Sequence, residues 1–165
     1  MPAHTCAAAG STRPLAPVTG SYTVAAWADL AGHTGNNQSI VAQAAGTDSG
    51  FYLKYTPGSG KWEFFQPHTD TDGPATSGVD SAGPAVTGRW TFLTGTYDAG
   101  SGTLTLYVDG QATGTAVNTS PIASTGPLLI GRSKWAGNAT DFFDGQIAGV
   151  RTPHGSATTA ACPPR

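Results

Sequence analysis

Trp90-Thr91-Phe92-Leu93-Thr94-Gly95-Thr96-Tyr97-Asp98 and Thr103-Leu104-Thr105-Leu106-Tyr107-Val108-Asp109-Gly110 together decide the fold of this chain. Trp90–Tyr97 and Thr103–Val108 read as strands, because each is an alternating or apolar run rich in Thr and aromatic residues. The small, polar stretch Asp98-Ala99-Gly100-Ser101-Gly102 turns the chain between them. Asp109-Gly110 is the strongest two-residue hairpin signal, since both positions tolerate a positive φ, so Gln111–Ala116 is expected as the returning strand.

The same pattern extends in both directions. Tyr22–Ala28, Ser39–Ala44, Gly50–Tyr55 and Lys61–Gln66 read as strands, separated by Gly46-Thr47-Asp48-Ser49-Gly50 and by Pro57-Gly58-Ser59-Gly60. Leu128–Gly131 and Phe142–Arg151 complete the set. Residues 68–88 are a long Thr, Asp, Gly, Pro and Ser segment with a short strand expected near Val86. A loop of that length in a compact domain is often functional. About ten strands without helical periodicity predict an all-β, two-sheet antiparallel β-sandwich, a jelly roll.

Composition agrees. The 165 residues suit one domain, 1–165, with 1–19 as an N-terminal arm or edge strand and 153–165 as a C-terminal tail. Charged residues are 11% of the chain, Gly contributes 23 and Pro 12, and Glu63 is the one Glu, which argues against a helical bundle. A net charge of −2 with eight scattered Lys and Arg gives no basic footprint for nucleic acid. No apolar run approaches the ~20 residues needed for a membrane helix, so no membrane insertion is expected.

Cys6 and Cys162 sit at opposite ends of the chain. No C-x-x-C or H-x-x-x-H pairing suggests a metal site. A Cys6–Cys162 disulfide is the expected reading, with two free thiols as the alternative. Closing so long a loop would stabilise by about 5 kcal/mol in the chain-entropy model. Disulfides persist in oxidising compartments, so a secreted or extracellular location is expected, although residues 1–20 contain no legible signal peptide.

A family resemblance rests on several of these segments. Ser21-Tyr22-Thr23-Val24 with Trp27, Trp90–Asp98, Leu104–Gly110, Leu129-Ile130-Gly131-Arg132, and Asp144-Gly145-Gln146-Ile147 with Val150-Arg151 resemble the core strands of laminin-G-like jelly rolls. Those belong to the concanavalin A-like lectin and glucanase superfamily. The resemblance spans about residues 20–152 and implies the same jelly roll. It also implies that Trp27, Trp90, Phe92, Tyr107 and Val108 are core residues. The two ends of the chain would lie on neighbouring strands, in agreement with Cys6 pairing Cys162. Relatives often hold a structural calcium and carry an acidic pair where this chain has Ala148-Gly149. A hard cation wants six to eight oxygens, so Ala148 and Gly149 weaken the case for calcium.

Catalysis finds little support. Retaining glucanases of the superfamily need two carboxylates ~5–5.5 Å apart, built from two Glu on one strand, and this chain has only Glu63. Gly58-Ser59-Gly60-Lys61 lacks the first Gly of a P-loop and is followed by Trp62. The chain is therefore read as no enzyme, with a diverged glycoside hydrolase or polysaccharide lyase as the remote alternative.

Sugar recognition requires a flat aromatic to stack on a pyranose and planar polar groups for its hydroxyls. Two places combine these. The loop Lys134–Asp141 offers Trp135, Asn138 and Asp141. The strand Lys61–Gln66 offers Trp62, with His68 and Asp72 just beyond it. The expected function is thus a secreted, non-catalytic, lectin-like carbohydrate-binding module of a larger extracellular protein. A glycan or cell-surface polysaccharide is its expected partner. The alternative is a protein-binding or structural spacer domain.

Overall fold

The computed structural model describes residues 19–152, so Cys6, Cys162, the arm up to residue 18 and the whole of the 153–165 tail lie outside the described residues. Two five-stranded antiparallel sheets face each other. The back sheet has the order β12-β1-β6-β7-β8, from β1 (Tyr22–Leu30), β6 (Trp90–Asp98), β7 (Thr103–Val108), β8 (Gln111–Val117) and β12 (Gly145–Arg151). The front sheet has the order β5-β4-β3-β2-β9, from β2 (Gln38–Ala44), β3 (Ser49–Thr56), β4 (Lys61–Pro67), β5 (Thr76–Asp80) and β9 (Leu128–Ile130). A third, two-stranded piece pairs β10 (Ser133–Trp135) with β11 (Asn138–Thr140). The all-β, concanavalin A-like jelly-roll reading holds.

Strand alternation sets the core. Val24, Ala26, Ala28 and Leu30 of β1 and Leu93 and Tyr97 of β6 face Phe51, Leu53, Tyr55, Trp62 and Phe64 of the front sheet. Gly95 is needed at its place on β6, because a Cβ there would come within 2.6 Å of the Phe64 ring. A buried polar chain runs between the sheets: the Gln66 amide donates to Tyr22 Oη at 2.8 Å, and Asn118 Nδ2 donates to Gln66 Oε1 at 3.0 Å. Burial pushes the Tyr22 phenol well above its ordinary range, against the lowering effect of the Gln66 hydrogen bond.

Parity also corrects the expected core. Trp27 and Trp90 are 43% and 40% exposed. Val24, Ala26 and Ala28 point inward, so Trp27 between them points out, and it pairs across strands with Phe92 on the same outer face. Their rings lie 5.0 Å apart. Tyr107 is half-buried on that face too, whereas Val108 packs against the core.

Local chemistry explains the turns. Asp109 and Gly110 both have positive φ, 51° and 81°, as a primed hairpin turn needs. The Asp109 carboxylate also accepts from Phe92 N at 2.9 Å and pairs with Arg89 at 3.0 Å. The long 68–88 segment contains β5, which pairs with β4, while near Val86 there is only an isolated bridge from Thr87 to Leu30. The final strand begins at Gly145 rather than Phe142, whose side chain is exposed.

Candidate functional site

The segment Lys134–Asp141, expected as a loop, is largely the hairpin β10–β11, turning at Ala136-Gly137 with positive φ at both residues. It lies over the outer face of the front sheet. Hydrogen bonds fix it there. The Tyr52 hydroxyl donates to Lys134 O at 2.6 Å, and Lys134 N donates to Ser49 Oγ at 3.0 Å. Gly137 N reaches Thr47 O at 2.8 Å, and Ala136 N reaches Asp48 Oδ1 at 2.8 Å. The Lys134 ammonium donates to the carbonyls of Ala45 and Gly46.

The loop under the hairpin is itself braced. Asp70 accepts from three consecutive backbone N–H groups, those of Gly46, Thr47 and Asp48, each at 2.8 Å. Burial alone would raise its carboxyl, but these bonds outweigh that and hold it below the ordinary carboxylate range. Asp48 is fully buried, and its Oδ2 has no hydrogen-bond partner. Burial pushes the Asp48 carboxyl up, with Asp70 and Asp72 adding to the rise and the Ala136 N–H opposing it.

The anchored hairpin forms one wall of a groove of about 240 Å³, lined by Asn37, Lys54, Glu63, Phe65 and Thr76 with Trp135, Thr140 and Asp141. Tyr52 and Phe65 lie side by side across β3 and β4, stacked with centroids 4.4 Å apart, and Trp135 meets Tyr52 edge-on at 5.9 Å. Ala42, Ala44 and Leu129 complete this outer apolar cluster. The next cross-strand pair on this face is Lys54 with Glu63. The Lys54 ammonium is 3.7 Å from Glu63 Oε2 and 4.6 Å from the centre of the Phe65 ring. Glu63 Oε2 also accepts from Thr56 Oγ1 at 2.7 Å. Gly78, opposite Phe65, leaves room for this floor: a Cβ there would lie 2.7 Å from Phe65 Cβ and 3.0 Å from Glu63 Oε1.

The structure divides the expected site residues. Trp135 and Asp141 come together at the groove. Asp141, at φ 55°, accepts from Ser133 Oγ at 3.1 Å, and its carbonyl accepts from Ser39 N at 2.7 Å. Asn138 is exposed at the hairpin tip, where its amide donates to Ala136 O at 2.9 Å, and it does not line the groove. His68 is bound to Ser77 Oγ at 2.8 Å, and Asp72 is exposed; neither lines the groove. Trp62 corrects the sequence reading, because it is 1% exposed within the core and offers no face to a ligand.

Lys54 and Phe65 line the groove but are not among the residues expected from the sequence. The turn after Thr56 sets the pairing Thr56 with Lys61, and counting back places Lys54 opposite Glu63. A lysine within the apolar run Phe51–Tyr55, facing the one glutamate, was the available signal.

Ala148 and Gly149 stand where the family resemblance leads to the expectation of an acidic pair. Beside Gly149 lies the Trp27 indole, 3.4 Å from where a Cβ would stand, so these residues offer a cation no side-chain oxygen. Among the described residues no three His, Cys, Asp or Glu side chains converge as metal ligands would.

Comparison with known proteins matches the sequence pattern of the concanavalin A-like lectin/glucanases superfamily to residues 5–160. The chain belongs to this superfamily. Solved structures of similar shape agree on the fold of this concanavalin A-like domain. A native heptameric SAP-like pentraxin from Limulus polyphemus superposes with a TM-score of 0.67 at 16% identity, over 87% of this chain and 67% of the other. The carbohydrate-binding module CBM40 of a Ruminococcus gnavus IT-sialidase, bound to α2,3 sialyllactose, gives 0.62 at 13% identity and 88% of both chains. Domains LG4-5 of the mouse laminin α1 chain give 0.63 at 17% identity, over 88% of this chain and 38% of the other. No curated protein matches.

Proposed function

We propose that this concanavalin A-like domain is a secreted, non-catalytic carbohydrate-recognition module whose ligand lies in the groove between hairpin β10–β11 and strands β3–β5. One observation carries the reading: Trp135 presents aromatic surface beside the buried Phe65 edge of the floor and the polar groups of Lys54, Glu63, Asn37 and Asp141 in a single groove. Aromatic surface suits the apolar face of a pyranose, and the polar groups suit its hydroxyls. The shape similarity to a CBM40 module bound to sialyllactose supports a glycan ligand. The absence of a second Glu supports a binding rather than a hydrolytic role, since the glucanase pair needs two. The test is a glycan array with the wild type and Trp135→Ala. Wild-type binding lost in a folded variant supports the groove; no binding to any glycan by folded wild type counts against it.

A protein-binding reading rests on a different face. Trp27, Trp90 and Phe92 share the outer side of the back sheet, the first two well exposed. Exposed aromatic clusters of this kind are found at protein interfaces. Trp27→Ala should then abolish capture of a protein partner while leaving glycan binding intact.

A further inference from the structure

We infer that the groove selects an uncharged glycan and discriminates against sialylated or otherwise anionic sugars, an inference that rests on the carbohydrate-binding reading above. The charge of the lining carries it. Among the eight lining residues the ionisable groups are Lys54, Glu63 and Asp141, one cation against two carboxyls. The cation is already committed electrostatically, at 3.7 Å from Glu63 Oε2 with both side chains largely buried. Its contact with the Phe65 ring adds a second interaction that depends on the positive charge. Lys54 therefore brings little uncompensated positive potential into the groove, and Asp141 adds negative potential.

Hydrogen-bond chemistry points the same way. The Lys54 ammonium stands beyond hydrogen-bond distance from Glu63, so its donors remain available, whereas Glu63 and Asp141 present acceptors. A sugar hydroxyl both donates and accepts, so one hydroxyl can accept a hydrogen bond from Lys54 while donating one to a carboxylate. A carboxylate or sulfate only accepts. It would satisfy Lys54 but leave Glu63 and Asp141 facing a like charge, and removing such a pair from water without compensation is unfavourable.

The test uses a minimal pair, lactose and 3′-sialyllactose, within a panel that adds cellobiose, mannobiose and chitobiose and a glucuronic-acid disaccharide. Binding is read by NMR shift titration, with Trp135 indole perturbation locating the groove. We expect at least one neutral disaccharide to bind and each anionic sugar to bind about tenfold or more weakly than its neutral counterpart. Glu63→Gln should narrow that gap severalfold, because it removes the groove charge nearest Lys54 while keeping the polar shape. Tighter binding of 3′-sialyllactose than of lactose through the sialyl carboxylate would overturn the charge argument and leave the carbohydrate reading standing. Binding of neither class by folded protein would overturn both.

Discussion

Trp135 stands edge-on to Tyr52, ring centroids 5.9 Å apart at 65°, and this one contact joins the hairpin wall of the groove to its floor. The Tyr52 hydroxyl reinforces it, donating to Lys134 O and accepting from Ser49 N at 2.8 Å. The aromatic that lines the groove is thus positioned by a ring that is itself fully buried.

Trp135→Ala should therefore do two things. Half-buried packing on the outer cluster is lost, destabilising by about 1–2 kcal/mol. Glycan binding should fall at least tenfold at temperatures where the variant is fully folded. Chemical denaturation and a glycan titration on the same sample separate the two effects.

Tyr52→Phe keeps the ring but removes both hydroxyl bonds. The Ser49 N–H and Lys134 C=O lose a buried partner, so a loss of about 1–3 kcal/mol is expected. Faster hydrogen exchange at Ser49, measured by NMR, would show that the lost bond, rather than lost packing, is responsible.

Trp62→Ala should behave as a core truncation. Its burial in the sandwich predicts a loss of about 3–5 kcal/mol, with any binding defect tracking the unfolded fraction. Normal stability with lost glycan binding would put Trp62 back in the site.

Gly78→Ala probes the groove floor. The new Cβ must displace Phe65 or Glu63, and overpacking of this kind costs about 1–3 kcal/mol. A crystal structure of the variant should show the Phe65 ring shifted off Tyr52.

The loop carboxylates give a pH signature with two signs. The Asp70 carboxyl is held low by its three N–H bonds, so its contribution is present above the ordinary carboxylate range and is lost as pH falls through its depressed value. Asp48 is raised, so its ionised form is disfavoured in the folded protein and that penalty disappears as pH falls. At pH 7, Asp70→Asn should destabilise by about 1–2 kcal/mol, whereas Asp48→Asn should be neutral or stabilising. Both differences should shrink towards pH 3. Urea unfolding at pH 7 and pH 3 checks the opposite signs.

Much of this molecule was legible in one dimension. Alternation and short apolar runs identified nine of its strands, seven to within one residue at each end, with β1 expected two residues short and β12 three residues early, and Asp109-Gly110 marked its hairpin. The short strands β5, β10 and β11 were not legible, because Thr76–Asp80, Ser133–Trp135 and Asn138–Thr140 are too brief and too polar to show a period. Trp135 and Asp141, expected from chemistry alone, do line the groove; Lys54 and Phe65 line it too but were not expected, since strand pairing and sheet packing, which a single strand does not show, bring them there.

The sequence by itself determined that the chain is a β-sandwich, because alternation and turn propensity are local properties that survive without knowledge of neighbours. Only the tertiary structure decided which side of each strand is core. Alternation separates Trp62 from Phe65 and Ala26 from Trp27, but it assigns neither set to the interior. That choice is made when the two sheets meet and one face of each is withdrawn from water. It buried Trp62, left Trp27 and Trp90 exposed, and gathered Phe65, Lys54 and Glu63 beneath the hairpin that carries Trp135.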